Sequence, residues 1–219
     1  QAFFGYETEG IFQNQDQIND SGLTSEFIAD NGLEPGDFIF TDQNGDGVID
    51  DLDRVVLGSY LPEITYGFNF GFTWRNLSFS AAFQGQAGHE ILNRKRGEII
   101  FTTDTNIDAE LANNLWRGEG TSNKYPSAAG LRKGYNQNMS DYFVESGSYF
   151  RIQNVRLSYN FINQQLFGVD MPEATLIFTA ERPLTVFNYN GFNPEVANGI
   201  DRQTYPIPAI YTLGLNVKL

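Results

Sequence analysis

Residues 64–75, ITYGFNFGFTWR, alternate without interruption between large apolar side chains and small or polar ones. The even-numbered positions share one face of a predicted strand and carry Ile64, Tyr66, Phe68, Phe70, Phe72 and Trp74. Twelve residues rising about 3.3 Å each span roughly 40 Å, and a tilt of about 40° projects this length onto about 30 Å, the hydrocarbon thickness of a bilayer. The stretch therefore predicts a membrane-crossing strand with one apolar face.

Further segments repeat this alternation and predict an antiparallel, all-β chain. Strands are expected at residues 77–85, 148–161, 174–181 and 207–219, with a first strand at 3–12. Only Arg75 and Asn76 separate the first two long strands, so a tight hairpin is expected there. The alternation changes phase near Gln153 or Asn154, which indicates a β-bulge.

The composition agrees with a β-rich chain. Phe (19), Tyr (11) and Gly (22) dominate its 219 residues, and cysteine is absent, so disulfides and thiolate chemistry are excluded. Only short helices are predicted, at residues 15–18, 25–31 and 108–116. No apolar run approaches the length of a transmembrane helix.

The lengths of the connections predict which side of the membrane each one occupies. If the last strand runs towards the cell interior, as in outer-membrane barrels, every long connection falls on the outside. The predicted extracellular loops are residues 13–63, 86–147 and 182–206. Tyr66 and Tyr211 then lie near the outer rim and Trp74 near the inner one, where aromatic side chains favour the membrane interface. The alternative is a soluble β-sandwich, whose strands alternate in the same way.

The formal charge of −13 is concentrated in one segment. Residues 13–63 hold twelve acidic side chains against Arg54 alone. A field of that sign repels phosphate backbones, so nucleic acid is not an expected partner.

The most specific local motif is DQNGDGVIDDLD, residues 42–53, which matches the template of a calcium-binding loop. Oxygen ligands are expected at positions 1, 3, 5, 7, 9 and 12 of the loop, with a glycine at position 6 for the sharp turn. The predicted ligands are Asp42, Asn44, Asp46, the carbonyl of Val48, Asp50 and Asp53. The flanking segments are not helical, so a structural Ca²⁺ site of the dockerin type is expected. The alternative is an acidic turn held by its own hydrogen bonds.

Catalytic interpretations find little support. His89 is the only histidine and has no nucleophile motif nearby, so it is interpreted as a polar residue at a loop rim and the chain as not an enzyme. Five aromatic residues in the predicted loops are candidates for stacking on sugar rings, although such residues more often pack the loop itself. They are Trp116, Tyr125, Tyr135, Tyr189 and Phe192.

Several strings, in order along nearly the whole chain, resemble the C-terminal region of SusC/RagA-type TonB-dependent transporters of Bacteroidetes outer membranes. They are GDFIFTDQNGDGVIDDLDRVVLGSYLPEITYGFNFGFTWRNLSFSAAFQGQAG, WRGEGTSNKYP, VESGSYFRIQNVRLSYNF and ERPLTVFNYNGFNPEVANGIDRQTYPIPAIYTLGLNVKL. The resemblance implies the last quarter of a plugged barrel of about 22 strands, of which this chain supplies about six. Pro183, Asn193 and the terminal Leu219 depart from the family pattern.

The resemblance also implies a function and partners. Such transporters import oligosaccharides or peptides beneath a SusD-like lipoprotein lid and contact TonB through an N-terminal segment. Asn69, Arg75, Arg156 and Asn216 are expected to face the lumen or plug. The residues expected to face outer-membrane lipid are Tyr66, Phe68, Phe70, Phe72, Leu213, Leu215 and Val217. The rival from another class is a calcium-stabilised, secreted β-sandwich that acts in binding or adhesion.

Overall fold

The computed structural model describes residues 2–94, 109–162, 165–166, 169–170, 172–202 and 204–218. The chain forms two compact units. The loop unit comprises Gln1–Tyr60, Glu90–Glu145 and Val196–Gln203, and the sheet unit comprises Leu61–His89, Ser146–Glu195 and Thr204–Leu219. The strands are β1 Ala2–Gly5, β2 Thr8–Ile11, β3 Phe38–Phe40, β4 Val55–Ser59, β5 Ile64–Trp74, β6 Leu77–Ala87, β7 Glu90–Asn93, β8 Val144–Ser146, β9 Tyr149–Phe161, β10 Gln165–Leu166, β11 Val169–Asp170, β12 Glu173–Phe187, β13 Ile200–Asp201 and β14 Ile210–Lys218.

The sheet unit is built on one five-stranded antiparallel sheet with the order β14-β12-β9-β6-β5. Strands β5 and β6 are joined by Arg75 and Asn76, as predicted, and Arg75 adopts a left-handed φ of 55°. Strands β10 and β11, which lie between β9 and β12 in the sequence, pair antiparallel with each other. The predicted strands 64–75, 77–85 and 148–161 are confirmed within two residues at each end. The predicted final strand begins later, at Ile210, and Leu219 lies outside the described residues.

The register places most of the large apolar side chains of the sheet on one face; Ile177 is an exception, because it pairs with Ser158 and Gly214 on the other face. Residues paired directly across strands share a face, and one such row crosses all five strands through Phe72, Phe79, Leu157, Phe178 and Leu213. This apolar face is open: Phe68 is 53% exposed and Leu213 72% exposed. Aromatic rings pack sideways along it, with Phe68 stacked on Phe83 at 4.4 Å between ring centroids. The apolar face therefore has no opposing sheet within the described ranges.

A β-bulge interrupts the centre of the sheet at the predicted place. Asn154 pairs with Ala82 and Ile152 with Phe83, so Gln153 is the extra residue. On the other side of β9 the register shifts between Glu181 and Leu184. The prediction that a loop starts at residue 182 was wrong, because β12 continues through the shift to Phe187. Proline breaks a ladder by lacking an N–H, but Pro183 lies at the shift in register, where that N–H is not needed.

The loop unit contains its own small sheets. Strand β1 pairs with β4, β2 with β3, and β7 lies between β13 and β8. The predicted first strand at 3–12 was wrong as one membrane-type strand, because β1 and β2 are short and pair inside this unit. The break lies at Tyr6 and Glu7, where Tyr6 forms an isolated bridge with Ser140 instead of continuing the ladder.

Three short helices occur near their predicted positions: α1 Gln15–Asn19, α2 Ser25–Asn31 and α3 Ala109–Asn114. Asp108, the predicted start of the third, lies outside the described residues. The α2 boundaries follow from local chemistry, since the side chain of Thr24 accepts the Phe27 N–H and Gly32 adopts the left-handed conformation at the C-terminus. None of the helices described is long and apolar enough to cross a membrane.

The apolar core lies in the loop unit. Its segments bury Ile11, Phe12, Ile18, Phe38 and Phe143 to within 1% of full burial. Aromatic contacts tie the segments together, for example Phe38 with Tyr142 at 4.9 Å between centroids. Long connections that carry a shared hydrophobic core fold as a compact body rather than as separate mobile loops.

Candidate functional site

The polar face of the sheet carries the first candidate site. Strands β5, β6 and β9 line an open depression of about 530 Å³ on this face. Its polar lining is Thr73, Ser78, Ser80, Arg156 and Ser158. Arg156 is exposed and pairs across the sheet with Ser80 and Thr179, so its guanidinium stands among hydroxyl groups. This face presents hydrogen-bond donors and acceptors, opposite in character to the apolar face.

Residues 42–53 fold as a sequence of hydrogen-bonded turns. The carboxylate of Asp42 accepts the N–H groups of Gly45 and Gly47 at 2.7 and 2.8 Å. Asp46 accepts the Val48 N–H at 2.9 Å, and the Asn44 amide nitrogen lies 2.9 Å from the other Asp46 carboxylate oxygen. The hydrogen bonds from Gly47 and Gly45 lower the pKa of Asp42 below its ordinary value of 3.8, because they favour its charged form.

The two ends of this loop are joined by Asp53. One of its carboxylate oxygens accepts the Gln43 N–H at 2.9 Å, and the other accepts the Asp50 N–H at 2.8 Å. Asp53 is fully buried, so position 12 of the motif is packed against position 2. Asp50 in turn caps the short 3₁₀ helix Asp51–Asp53.

The donor set of this loop suits a hard cation, because carboxylate, amide and carbonyl oxygens are the ligands that Ca²⁺ prefers. Within the described ranges, however, no three His, Cys, Asp or Glu side chains converge as a metal-binding group. The oxygens are directed mainly at backbone N–H groups of the loop. The Ca²⁺ site therefore stays a prediction.

The aromatic residues predicted to bind sugars mostly pack inside the protein. Tyr125, Tyr135 and Tyr189 are 7%, 6% and 4% exposed. Burial raises the pKa of the Tyr135 hydroxyl above its ordinary value. Trp116 is half-buried and donates its ring N–H to Gln13 at 3.1 Å. Only Phe192 among the five candidates is well exposed, at 64%.

A polar network inside the loop unit was not predicted from the sequence. Asp37 is 1% exposed and its carboxylate accepts hydrogen bonds from Lys133 at 2.9 Å and Asn136 at 2.8 Å. Lys133 also donates to Glu34 at 3.0 Å. Burial alone would lower the pKa of Lys133, but the hydrogen bonds to Asp37 and Glu34 outweigh it and raise that pKa above its ordinary value. Long-range pairs of this kind leave no periodic signal in a sequence.

A second unpredicted network lies in the sheet unit. Arg151, at the start of β9, is 3% exposed and forms an ion pair with Glu195. It also donates from Nε to the Thr185 hydroxyl at 3.0 Å, and Tyr149 donates its hydroxyl to Glu195 at 2.8 Å. Arg151 was indistinguishable in the sequence from a surface arginine.

His89 does not lie on an exposed rim. It is 6% exposed, and its carbonyl accepts the Gly147 N–H at 2.8 Å. The sequence-based interpretation of His89 as a polar residue at a loop rim was therefore wrong, because the residue is buried. The residue ends the sheet unit's first segment, where the chain leaves β6.

Comparison with known proteins identifies the class. No family model matches the chain. It is 33% identical over 228 residues to the TonB-dependent receptor P26 of Formosa agariphila, an alignment that covers 99% of this chain and 22% of that receptor. It is 27% identical over 196 residues to the TonB-dependent receptor SusC of Bacteroides thetaiotaomicron, covering 87% of this chain and 18% of SusC. The chain thus spans about a fifth of the length of these curated relatives.

Solved structures give the same fold. The RagAB peptide transporter superposes with a TM-score of 0.70 at 22% identity, over 98% of this chain and 22% of that one. The RagAB peptide importer in its open-open state gives a TM-score of 0.68. The fold is that of an antiparallel segment of a large outer-membrane β-barrel, as predicted. The chain fits the C-terminal part of a SusC/RagA-like TonB-dependent receptor, and such receptors are transporters, not enzymes.

Proposed function

We propose that this chain forms part of the wall and the outer loops of a TonB-dependent transporter in the outer membrane, which imports oligosaccharides or peptides beneath a SusD-like lipoprotein lid. The observation that carries the proposal is the open apolar face of the five-stranded sheet. The row from Phe72 to Leu213 crosses every strand of that sheet.

The apolar face is suited to lipid. Each large apolar side chain left in water forgoes about 1.5–3 kcal/mol of transfer free energy, and contiguous patches of this size mark an interface. The face carries, among others, Phe68, Phe70, Phe72, Leu213, Leu215 and Val217, all between 42% and 72% exposed. The eleven residues of β5 rise roughly 36 Å and span about 28 Å at a tilt of about 40°, which matches the hydrocarbon layer.

The two edges of the sheet are suited to strand partners. Among the residues that the structure describes, strands β5 and β14 each have one neighbour in the sheet, so their outer edges present unpaired backbone groups. Such edges are excluded from lipid unless they are paired. Pairing with further strands of the same barrel satisfies them. The polar face with Arg156 then faces the plug and the lumen, and contact with TonB belongs to a segment outside this chain.

The loop unit is suited to the aqueous outer side and to a lipoprotein lid. It holds 22 acidic and 9 basic residues, whereas the sheet unit holds five of each, so the whole net charge of −13 lies on the loop unit. Because the loop unit is packed around its own apolar core, its charged surface has a defined shape that a protein partner can bind. Charged loops are also incompatible with the hydrocarbon layer.

A structural Ca²⁺ is proposed for residues 42–53, held by the oxygens of Asp42, Asn44, Asp46, Val48, Asp50 and Asp53. The support is the match of the sequence to the loop template together with the oxygen-only donor set. When bound, the ion would cross-link an acidic turn and lower its internal charge repulsion. It would order the loop unit and take no part in chemistry.

The alternative, a secreted calcium-stabilised β-sandwich, requires a second sheet to cover the apolar face. The large core of this chain lies instead among the segments of the loop unit. The open face therefore favours the transporter.

The test uses the full receptor that contains this chain, with one lysine on each face of β5. Phe70→Lys places a charge against the hydrocarbon and is expected to cost about 2–4 kcal/mol and to lower the amount of folded, heat-modifiable receptor in the outer membrane. Asn69→Lys, the matched control on the polar face, is expected to leave that amount unchanged. Recovery of the receptor in the soluble fraction, or equal tolerance of both substitutions, would contradict the proposal.

A further inference from the structure

The second polar network fixes a segment of chain onto the sheet. After β12 ends at Phe187, the chain turns, and Glu195 returns to Arg151 on β9, 44 residues away in sequence. Asn193 fixes the backbone next to Glu195, because its side-chain oxygen accepts the Glu195 N–H at 3.0 Å. Tyr149 adds a hydrogen bond to the same carboxylate. Three side chains thus converge on the end of this segment, residues 188–195.

The register shows which face of the sheet the segment covers. Arg151 pairs across strands with Gln84 and Thr185, whereas its neighbour Ile152 pairs with Phe83 and Leu184. Adjacent residues of a strand point to opposite faces, and Phe83 belongs to the apolar face because it pairs with Phe68. Arg151 therefore lies on the polar face.

The contacts of Glu195 with Arg151 and Tyr149 hold the end of the segment against that polar face. Arg151 is 3% exposed although it stands on the face that holds the open depression around Arg156. Tyr189 and Asn193 are 4% and 7% exposed. A buried arginine is stable only when its charge is paired and its donors are satisfied. Glu195 pairs with its charge, and Glu195 and Thr185 each accept one of its N–H groups.

We propose that residues 188–195 line the inside of the barrel at its outer end, and that Arg151 is the positioning residue that holds them there. The inference rests on the proposed function. "Inside" follows from the barrel. "Outer end" follows because β9 and the last strand, β14, are both antiparallel to β12, so β9 also runs inward and begins on the outer side. The segment narrows the entrance on the lumen side, and its Phe192 is 64% exposed.

The first test measures hydrogen exchange of residues 188–195 in the full receptor. Arg151→Gln leaves Glu195, whose side chain is 36% exposed, free to rehydrate, so protection of the segment is expected to fall at least about tenfold. Arg156→Gln is the matched control: it removes the same charge from the same strand and face, and protection is expected to persist. Equal protection in both variants would overturn the proposal.

A second variant separates positioning from assembly of the sheet. Glu195→Gln changes no strand residue, yet it removes the same ion pair, so it is expected to reproduce the loss of protection. The double variant is expected to lose no more than either single one, because both act through one contact. Additive losses would show that Arg151 acts on the sheet and not on the segment, and would overturn its assigned role.

Labelling of whole cells distinguishes failure of this inference from failure of the proposed function. In a receptor without other accessible cysteines, Glu26→Cys on the exposed surface of α2 is expected to react with both a small and a polymer-linked maleimide. Phe192→Cys is expected to react with the small reagent alone, and with both once Arg151→Gln is added. An unreactive Glu26→Cys would overturn the proposal that the loop unit faces the outside of the cell, and with it the placement of residues 188–195. A reactive Glu26→Cys, with Phe192→Cys open to both reagents from the start, would overturn the placement alone.

Discussion

Asp37 and Asn136 lie 99 residues apart and are joined by a buried hydrogen bond of 2.8 Å. Asn136 is fully buried and also accepts the Phe38 N–H at 2.7 Å, so its amide joins two segments of the loop unit. Lys133 completes the arrangement by neutralising Asp37. These contacts join residues 37–38 to residues 133–136 within the loop unit.

Loss of Lys133 is predicted to destabilise the loop unit. Lys133→Met leaves the carboxylate of Asp37, 1% exposed, without its cation, which is expected to cost about 3 kcal/mol. The measurement is hydrogen exchange of residues 34–40 in the full receptor. Arg132→Met is the control, because it removes the same charge one position away and Arg132 is exposed. Equal effects of the two substitutions would mean that the buried pair contributes nothing specific.

The calcium-type loop is predicted to be sensitive to acid. The pKa of Asp42 is lowered in the folded loop, so the stability that its hydrogen bonds contribute is present above the ordinary value of 3.8 and is lost as the pH falls through the lower, folded value. Asp42→Asn is expected to remove this dependence. Hydrogen exchange of residues 42–53 between pH 6 and pH 2.5, in the presence of EDTA, measures it. Asp20→Asn controls for the loss of one exposed carboxylate, and identical pH profiles for the two variants would contradict the prediction.

The two glycines of this loop are predicted to differ in their tolerance of alanine. Both have a left-handed φ, 75° for Gly45 and 80° for Gly47, so each substitution carries about 1 kcal/mol of backbone strain. A Cβ at Gly45 meets open space, whereas one at Gly47 comes within 2.9 Å of the Gly22 carbonyl oxygen. Gly47→Ala is therefore expected to cost about 2–3 kcal/mol in total. The measurement is the free energy of unfolding of the loop unit. A larger decrease in this free energy from Gly45→Ala than from Gly47→Ala would contradict this packing.

Calcium is predicted to stabilise the same loop. At a concentration about 100 times its dissociation constant, Ca²⁺ is expected to add about 2.7 kcal/mol to the protection of residues 42–53. Asp46→Ala removes one ligand and is expected to abolish the added protection by Ca²⁺. Glu26 lies on α2, outside the loop, so Glu26→Gln is expected to keep that added protection. Indistinguishable exchange with Ca²⁺ and with EDTA would leave the loop as a turn held by its own hydrogen bonds.

The sheet was largely predictable from the sequence because its signal is local. Strand β5 alternates over its whole length, and the phase change around Gln153 marked the bulge. The short α2 helix was predicted to the residue, since Thr24 and Gly32 are standard capping residues. In each case the chemistry that determines the element lies within a few residues of it.

The polar contacts were not predictable, because they join residues far apart in sequence. Nothing in the neighbourhood of Arg151 distinguishes it from Arg156, yet one is buried against Glu195 and the other is exposed. The compact loop unit was also missed. Its core joins segments that had been interpreted as separate loops, and its apolar residues are too widely spaced to show a period.

The most direct test of the membrane assignment measures the environment of successive residues along β5. Spin labels at positions 66 to 73 of the full receptor, reconstituted in bilayers, report collisions with oxygen, which concentrates in lipid, and with a nickel chelate, which stays in water. Labels at Tyr66, Phe68, Phe70 and Phe72 are predicted to favour oxygen, and labels at Gly67, Asn69, Gly71 and Thr73 to favour nickel or to be shielded from both. An oxygen preference that failed to alternate with a period of two would contradict the account.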